Sequence, residues 1–125
     1  MLKHKTYHLL IISTLFFYSN LFADTCPDMS NTSSAPSGWI LTLGKPLSHG
    51  NQFAGATWNV SFAGVACVYN SNPFPLSAFV LVSLDPNLMP IMKNSAWNQF
   101  SSNQARCPST TYASCSFADS SNTKK

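Results

Sequence analysis

Short apolar segments separated by turn-forming residues dominate the chain beyond residue 23. The clearest is residues 56–62, where every second residue, beginning with Ala56 and Trp58, is apolar. This period of two predicts a strand with one face in a core and one in water. Further strands are predicted over apolar runs bounded by glycine, proline or asparagine, at residues 39–43, 65–69 and 78–84. The last run is almost continuously apolar, which predicts a central strand buried on both faces.

The pattern weakens in the last third of the chain. Residues 112–117 predict a final strand, whereas Phe100 lies in an Asn-, Gln- and Ser-rich stretch that we interpret as a short helix or a loop. No stretch three turns long repeats apolar residues at helical spacing without an interrupting proline or glycine. The sequence therefore predicts an all-β fold, a small antiparallel sandwich or partial barrel of about five strands.

The first residues follow a different pattern, that of an export signal. Lys3 and Lys5 precede an apolar run that turns polar before the small residue Ala23. The run is too short to span a membrane, so we predict a cleaved signal peptide and no membrane span after cleavage. The predicted division is a signal peptide at residues 1–23 and a single exported β-rich domain at residues 24–125, with a frayed tail at residues 120–125.

Removing the signal peptide changes the charge of the protein. The full chain has a formal net charge of +3, but residues 24–125 carry five positive side chains against four aspartates and no glutamate. No basic patch remains to attract a phosphate backbone, so nucleic acid is not an expected partner. The expected partner is a protein or a glycan, and we predict a monomer.

All four cysteines, Cys26, Cys67, Cys107 and Cys115, lie beyond the predicted signal peptide. An even number in this position indicates disulfides formed in an oxidising compartment, and four cysteines allow three pairings. We favour Cys26–Cys67 and Cys107–Cys115, because the short segment at residues 108–114 has a turn-like middle that lets its ends meet. The spacing offers no close cysteine pair, so we expect neither a metal site nor another cofactor.

Two side chains are candidates for a functional site. His49 follows Ser48, but sequence neighbours seldom point at each other, and no spacing selects a third catalytic group. Trp97 lies in polar surroundings and is predicted to be an exposed contact residue, whereas Trp39 and Trp58 are predicted to lie in the core. We therefore expect a binding module rather than an enzyme. The alternatives are a small hydrolase that uses His49, or an enzyme inhibitor that presents residues 108–114.

A series of short motifs occurs along the chain, in the order Cys26-Pro27, Trp39, Gly55-Ala56-Thr57-Trp58, Cys67-Val68-Tyr69 and Cys115-Ser116-Phe117. This series resembles a family of small exported bacterial proteins, the domain of unknown function 3757. The motifs cover most of the chain beyond the signal peptide. The resemblance implies a β-rich bacterial domain that is periplasmic or secreted, and it carries over no activity and no catalytic residue.

Overall fold

The computed structural model describes residues 23–62, 64–71 and 78–119. The predicted signal peptide, apart from Ala23, and the predicted tail lie outside the described residues. Nine strands and two short 3₁₀ helices (Val60–Phe62 and Tyr112–Cys115) occupy the described part. The strands are β1 (Ala23–Asp24), β2 (Trp39–Gly44), β3 (Asn51–Asn59), β4 (Gly64–Ser71), β5 (Phe79–Ser83), β6 (Leu88–Pro90), β7 (Asn98–Ser101), β8 (Gln104–Cys107) and β9 (Phe117–Asp119).

The strands form two antiparallel sheets. The larger sheet has the order β2-β5-β4-β3-β8-β7, and the smaller has the order β1-β9-β6. Phe117 of the smaller sheet is fully buried and packs edge-on against Trp39 of the larger sheet, with 6.0 Å between ring centroids. The predicted all-β, antiparallel fold is confirmed, although short strands bring the number well above five.

The core is built from alternate residues of the central strands. Phe79 and Leu81 of β5 are fully buried, whereas Val80 and Val82 between them are only partly buried. The central position predicted for this strand is correct, because β5 lies between β2 and β4. Burial on both faces is not found: within the described part of the chain, the outer face of β5 stays partly accessible.

The strand predicted at residues 56–62 is shifted towards the N-terminus. β3 ends at Asn59. The side-chain oxygen of Asn59 accepts a hydrogen bond from the Ser61 backbone N–H at 2.8 Å. This local bond turns the chain out of the ladder into a 3₁₀ helix. Val60 is therefore 54% exposed, contrary to the alternation that predicted it in the core.

Two predictions in the last third of the chain are wrong. The stretch around Phe100 is not a helix or loop but strand β7, which forms a hairpin with β8. The predicted strand at residues 112–117 is mostly a 3₁₀ helix, and β9 begins only at Phe117. The first error arises because pairing with β8 outweighs the weak local pattern of a polar sequence, whereas residues 112–115 have no strand partner in the described part of the chain.

Trp97 is buried, so the prediction of an exposed contact residue is wrong. Its side chain is 5% exposed, and the indole Nε1–H donates a hydrogen bond to the Ser116 carbonyl at 2.8 Å. The neighbouring Asn98 and Gln99 are exposed and account for the polar surroundings seen in the sequence. A tryptophan with a satisfied N–H is suited to a core position, which is where Trp39 and Trp58 also pack.

Both predicted disulfides are present. The first disulfide, Cys26–Cys67, spans a Cα–Cα distance of 5.9 Å, and the second disulfide, Cys107–Cys115, spans 5.7 Å. This pairing leaves no free cysteine in the described residues and fits an oxidising environment. Within the described ranges, no helix has the length and apolar character needed to cross a membrane.

Candidate ligand-binding cleft

A polar cleft of about 510 Å³ opens on one side of β3. Its volume lies in the range of small-molecule sites, about 300–1,000 Å³. The lining combines one carboxylate with hydroxyls, amides and two aromatic rings. The residues that provide these groups are Asp28, Ser30, Asn51, Gln52, Phe53, Thr110 and Tyr112.

Each wall of the cleft is attached to the sheet by a disulfide. The first disulfide fixes the segment that carries Asp28 and Ser30 to strand β4. The second disulfide closes the loop that carries Thr110 and Tyr112, and this loop is anchored at the end of β8. Strand β3 provides the floor between the two walls. Because neither wall belongs to a strand, the covalent links set its position relative to the floor.

Asn51 holds the first wall in place from below. Its side chain is 2% exposed, and its amide nitrogen donates to the carbonyls of Met29 at 2.9 Å, Thr32 at 3.1 Å and Leu47 at 2.7 Å. Its amide oxygen accepts a hydrogen bond from the Leu47 N–H at 3.0 Å. Buried backbone groups need hydrogen-bond partners, and the two irregular segments around Met29 and Leu47 have no neighbouring strand to provide them in the described part of the chain. The side chain of Asn51 provides these hydrogen bonds instead.

Replacing Asn51 with alanine is expected to lower the free energy of unfolding by about 2–3 kcal/mol, because buried carbonyls lose their donor. Asn59→Ala on the same strand is the matched control, since the side chain of Asn59 is only partly buried and makes one local bond. Urea unfolding of both variants measures the difference. Equal losses in the two variants would show that the Asn51 network does not hold the wall.

A row of aromatic rings connects the cleft to the core. Tyr112 stacks on Phe53 with 4.6 Å between centroids and 19° between the ring planes. Phe53 meets Tyr69 edge-on at 5.8 Å, and Tyr69 stacks on Phe79 at 4.7 Å. The Tyr69 hydroxyl donates to the Pro27 carbonyl at 2.6 Å. The phenol of Tyr112 is thus supported from behind by a rigid stack while remaining partly accessible in the cleft.

The ionisable groups of the cleft have defined protonation states. The Ser30 backbone N–H donates to the Asp28 carboxylate at 3.0 Å, and this bond lowers the pKa of Asp28. Burial raises the pKa of Tyr112, and the nearby Asp28 charge raises it further. Burial is also the main cause of the raised pKa of Tyr69. At neutral pH the cleft therefore offers an ionised carboxylate as an acceptor and a neutral phenol that can donate.

The residues singled out in the sequence lie outside this cleft. His49 is exposed in the bend before Gly50 and does not line the cleft, although Asn51 follows two residues later. Trp97 is in the core. Across residues 23–62, 64–71 and 78–119, no three His, Cys, Asp or Glu side chains are grouped as metal ligands. The predicted features that form part of the cleft are the two disulfides and the segment at residues 108–114 considered for an inhibitor.

Comparison with known proteins identifies no relative of the chain. Protein-family models, curated proteins and solved structures were each compared with it, and none matches. The resemblance to the domain of unknown function 3757 therefore stays a prediction. Function has to be argued from the geometry of the cleft.

Proposed function

We propose that the chain is an exported bacterial domain, periplasmic or secreted, that binds a polyhydroxylated ligand such as a glycan in the cleft, without catalysis. The observation that carries the proposal is the partly accessible ring of Tyr112, which is held by stacking on the buried Phe53, beside the Asp28 carboxylate and the Gln52 amide. Aromatic rings provide apolar contact for the C–H faces of a sugar ring. Carboxylate, amide and hydroxyl groups pair with sugar hydroxyls, which both donate and accept hydrogen bonds.

The chemistry of the lining favours a neutral polyol over anionic and purely apolar ligands. Asp28 is the one charged side chain among the described residues that line the cleft, so an anionic ligand would be repelled. A purely apolar ligand would desolvate polar groups such as Gln52 and Thr110 without offering them hydrogen bonds. A polyhydroxylated ligand satisfies these groups and also packs against the accessible ring of Tyr112.

The same lining supports binding more than hydrolysis. Glycoside hydrolysis uses two carboxyl groups, about 5–9.5 Å apart. Among the described lining residues Asp28 is the single carboxylate, and none is a histidine. The segment considered for an inhibitor, residues 108–114, forms a wall of the cleft through Thr110 and Tyr112. Its position therefore favours contact with a ligand held in the cleft.

The proposal is tested by titrating the protein with a panel of neutral mono- and disaccharides while following backbone amide signals by NMR. Gln52→Ala is expected to weaken binding by about tenfold, the loss of one hydrogen bond to a ligand. Gln99→Ala is the matched control, because Gln99 is also an exposed strand residue but does not line the cleft. A panel in which no saccharide shifts the signals of cleft residues would contradict the proposal.

A further variant in the same titration separates binding from hydrolysis. His49→Ala should leave saccharide affinity unchanged, since His49 does not line the cleft. The saccharides are also examined for cleavage products after prolonged incubation with the protein. If the protein cleaves one of them and His49→Ala abolishes that activity, the chain is a hydrolase and the binding proposal is wrong.

A further inference from the structure

Asp28 carries a negative charge that no cation balances within the described part of the chain. Its carboxylate accepts hydrogen bonds from the Ser30 backbone N–H, at 3.0 Å, and from the Ser30 hydroxyl. These two bonds lower the pKa of Asp28, and no lysine, arginine or histidine among the described residues contributes to the shift. Asp28 is exposed and lines the cleft, so a ligand in the cleft can contact the charge.

The charge of Asp28 reaches the aromatic wall of the cleft. Burial, and then the Asp28 charge, raise the pKa of Tyr112, because a nearby negative charge opposes ionisation of a phenol. The same charge attracts a cation that lies between the two side chains. The face of a tyrosine ring also attracts a cation within about 6 Å of its centre. Stacking on Phe53 occupies one face of the Tyr112 ring, which leaves the other face for a ligand.

The Asp28 carboxylate keeps the capacity to accept hydrogen bonds from a ligand. Its two oxygens have about four lone-pair positions, and the bonds from Ser30 use two of them. An ammonium group has three N–H donors, so it can bond to the carboxylate and keep donors for neighbouring hydroxyls. Such charge-assisted bonds are about twice as strong as bonds between neutral groups. Among polyhydroxylated ligands, one with an ammonium beside Asp28 therefore gains more than one with a hydroxyl there.

We infer that the cleft selects an amino sugar, a hexose unit with a free ammonium group, over the corresponding neutral sugar, and that Asp28 determines this specificity. The inference rests on the proposed function, because the hydroxyls of the same sugar ring pair with Gln52 and Thr110. An N-acetylated amino sugar has lost the positive charge and gains nothing from the charge of Asp28. The expected ligand is thus a glycan with free amino groups.

The inference is tested by NMR titration of the disulfide-bonded protein with D-glucosamine, D-glucose and N-acetyl-D-glucosamine. The titrations are run at about pH 6, where Asp28 is ionised and the sugar amine is protonated. Glucosamine is expected to bind about fivefold more tightly than either neutral sugar at equal chloride concentration, as an exposed ion pair and a cation–π contact allow. Raising NaCl to about 0.5 M should reduce this ratio, because salt screens the exposed charges.

Asp28→Asn keeps an oxygen for the Ser30 N–H but removes the charge, so the ratio of the glucose and glucosamine dissociation constants should fall to within about twofold of one. Asp85→Asn is the matched control. The Asp85 carboxylate also accepts a backbone N–H two residues later, from Asn87 at 2.9 Å, but Asp85 does not line the cleft. Its replacement should leave the ratio unchanged. Amide spectra of both variants confirm that each is folded.

Four results would overturn the inference. If glucose shifts the cleft signals and glucosamine binds no more tightly, glycan binding stands and the amino-sugar specificity is wrong. If no sugar shifts these signals, the proposed function fails together with the inference. If Nα-acetyl-lysine amide binds as tightly as glucosamine, the cleft recognises an ammonium group without a sugar ring. An equal loss of preference in Asp28→Asn and Asp85→Asn would place its origin outside the cleft.

Discussion

Trp97→Ala is expected to lower the free energy of unfolding by about 3–5 kcal/mol, the usual cost of removing a large buried aromatic side chain. The indole is 5% exposed and its N–H is bonded to the Ser116 carbonyl. The substitution therefore leaves a cavity and removes one of two donors to the Ser116 carbonyl, which keeps its hydrogen bond from the Ile91 N–H at 3.0 Å. The loss is a large part of the total stability of a typical domain, about 5–15 kcal/mol.

Phe100→Ala is the matched control for this prediction. Phe100 is an aromatic residue three positions later that is 58% exposed, with the Arg106 guanidinium 5.6 Å from its ring centre. Losing that exposed contact should cost about 1 kcal/mol or less. Denaturant unfolding compares the two variants under identical conditions. If Trp97→Ala were no more destabilising than Phe100→Ala, Trp97 would not act as a core residue.

Removing the first disulfide, by Cys26→Ala together with Cys67→Ala, is expected to cost about 4 kcal/mol of stability in the loop-entropy model. The bond closes a long loop, with a sequence separation of 41 residues. The second disulfide closes a separation of 8 residues, so its removal should cost less, about 2.5 kcal/mol. Replacing both partners of a bond leaves no unpaired thiol to form new disulfides.

The two disulfide variants also test the part that each bond plays in the cleft. Urea unfolding gives the stability of each variant, and saccharide titration under native conditions gives its affinity. We expect both variants to lose affinity, because each releases one wall, but the first to lose more stability. The role assigned to the first disulfide would be contradicted if the Cys26→Ala, Cys67→Ala variant had the same stability and the same saccharide affinity as the parent protein.

The sequence predicted those parts of the fold that depend on local pattern. Runs of apolar residues identified β2, β4 and β5. The apolar character of β4 and β5 follows from their position inside the larger sheet, whereas β2 lies at its edge. The cysteine pairing followed from loop length and turn content. The strands β6 to β8 have little apolar periodicity, since they form through backbone pairing with neighbours. Trp97 was misplaced because polarity was judged from its neighbours, whereas its own position depends on the Ser116 carbonyl.

The cleft could not be predicted from the sequence, for a related reason. Its lining comes from three stretches, residues 28–30, 51–53 and 110–112, that are far apart in the chain. No local motif marks them. The one usable signal was that each disulfide ties an irregular segment to the sheet. Both segments flank the same strand, β3, because of the order of strands in the sheet. The pattern of apolar residues does not determine that order.

The most direct test of the disulfide-framed cleft as a glycan site is NMR mapping of a bound saccharide on two proteins. These are the oxidised parent and its Cys107→Ala, Cys115→Ala variant. In the parent, amide shifts should be confined to the cleft, at Gln52, Thr110 and Tyr112. The variant should stay folded and lose most of these shifts at the same saccharide concentration. Shifts that map instead to residues outside the cleft, or that persist unchanged in the variant, would contradict the proposed site.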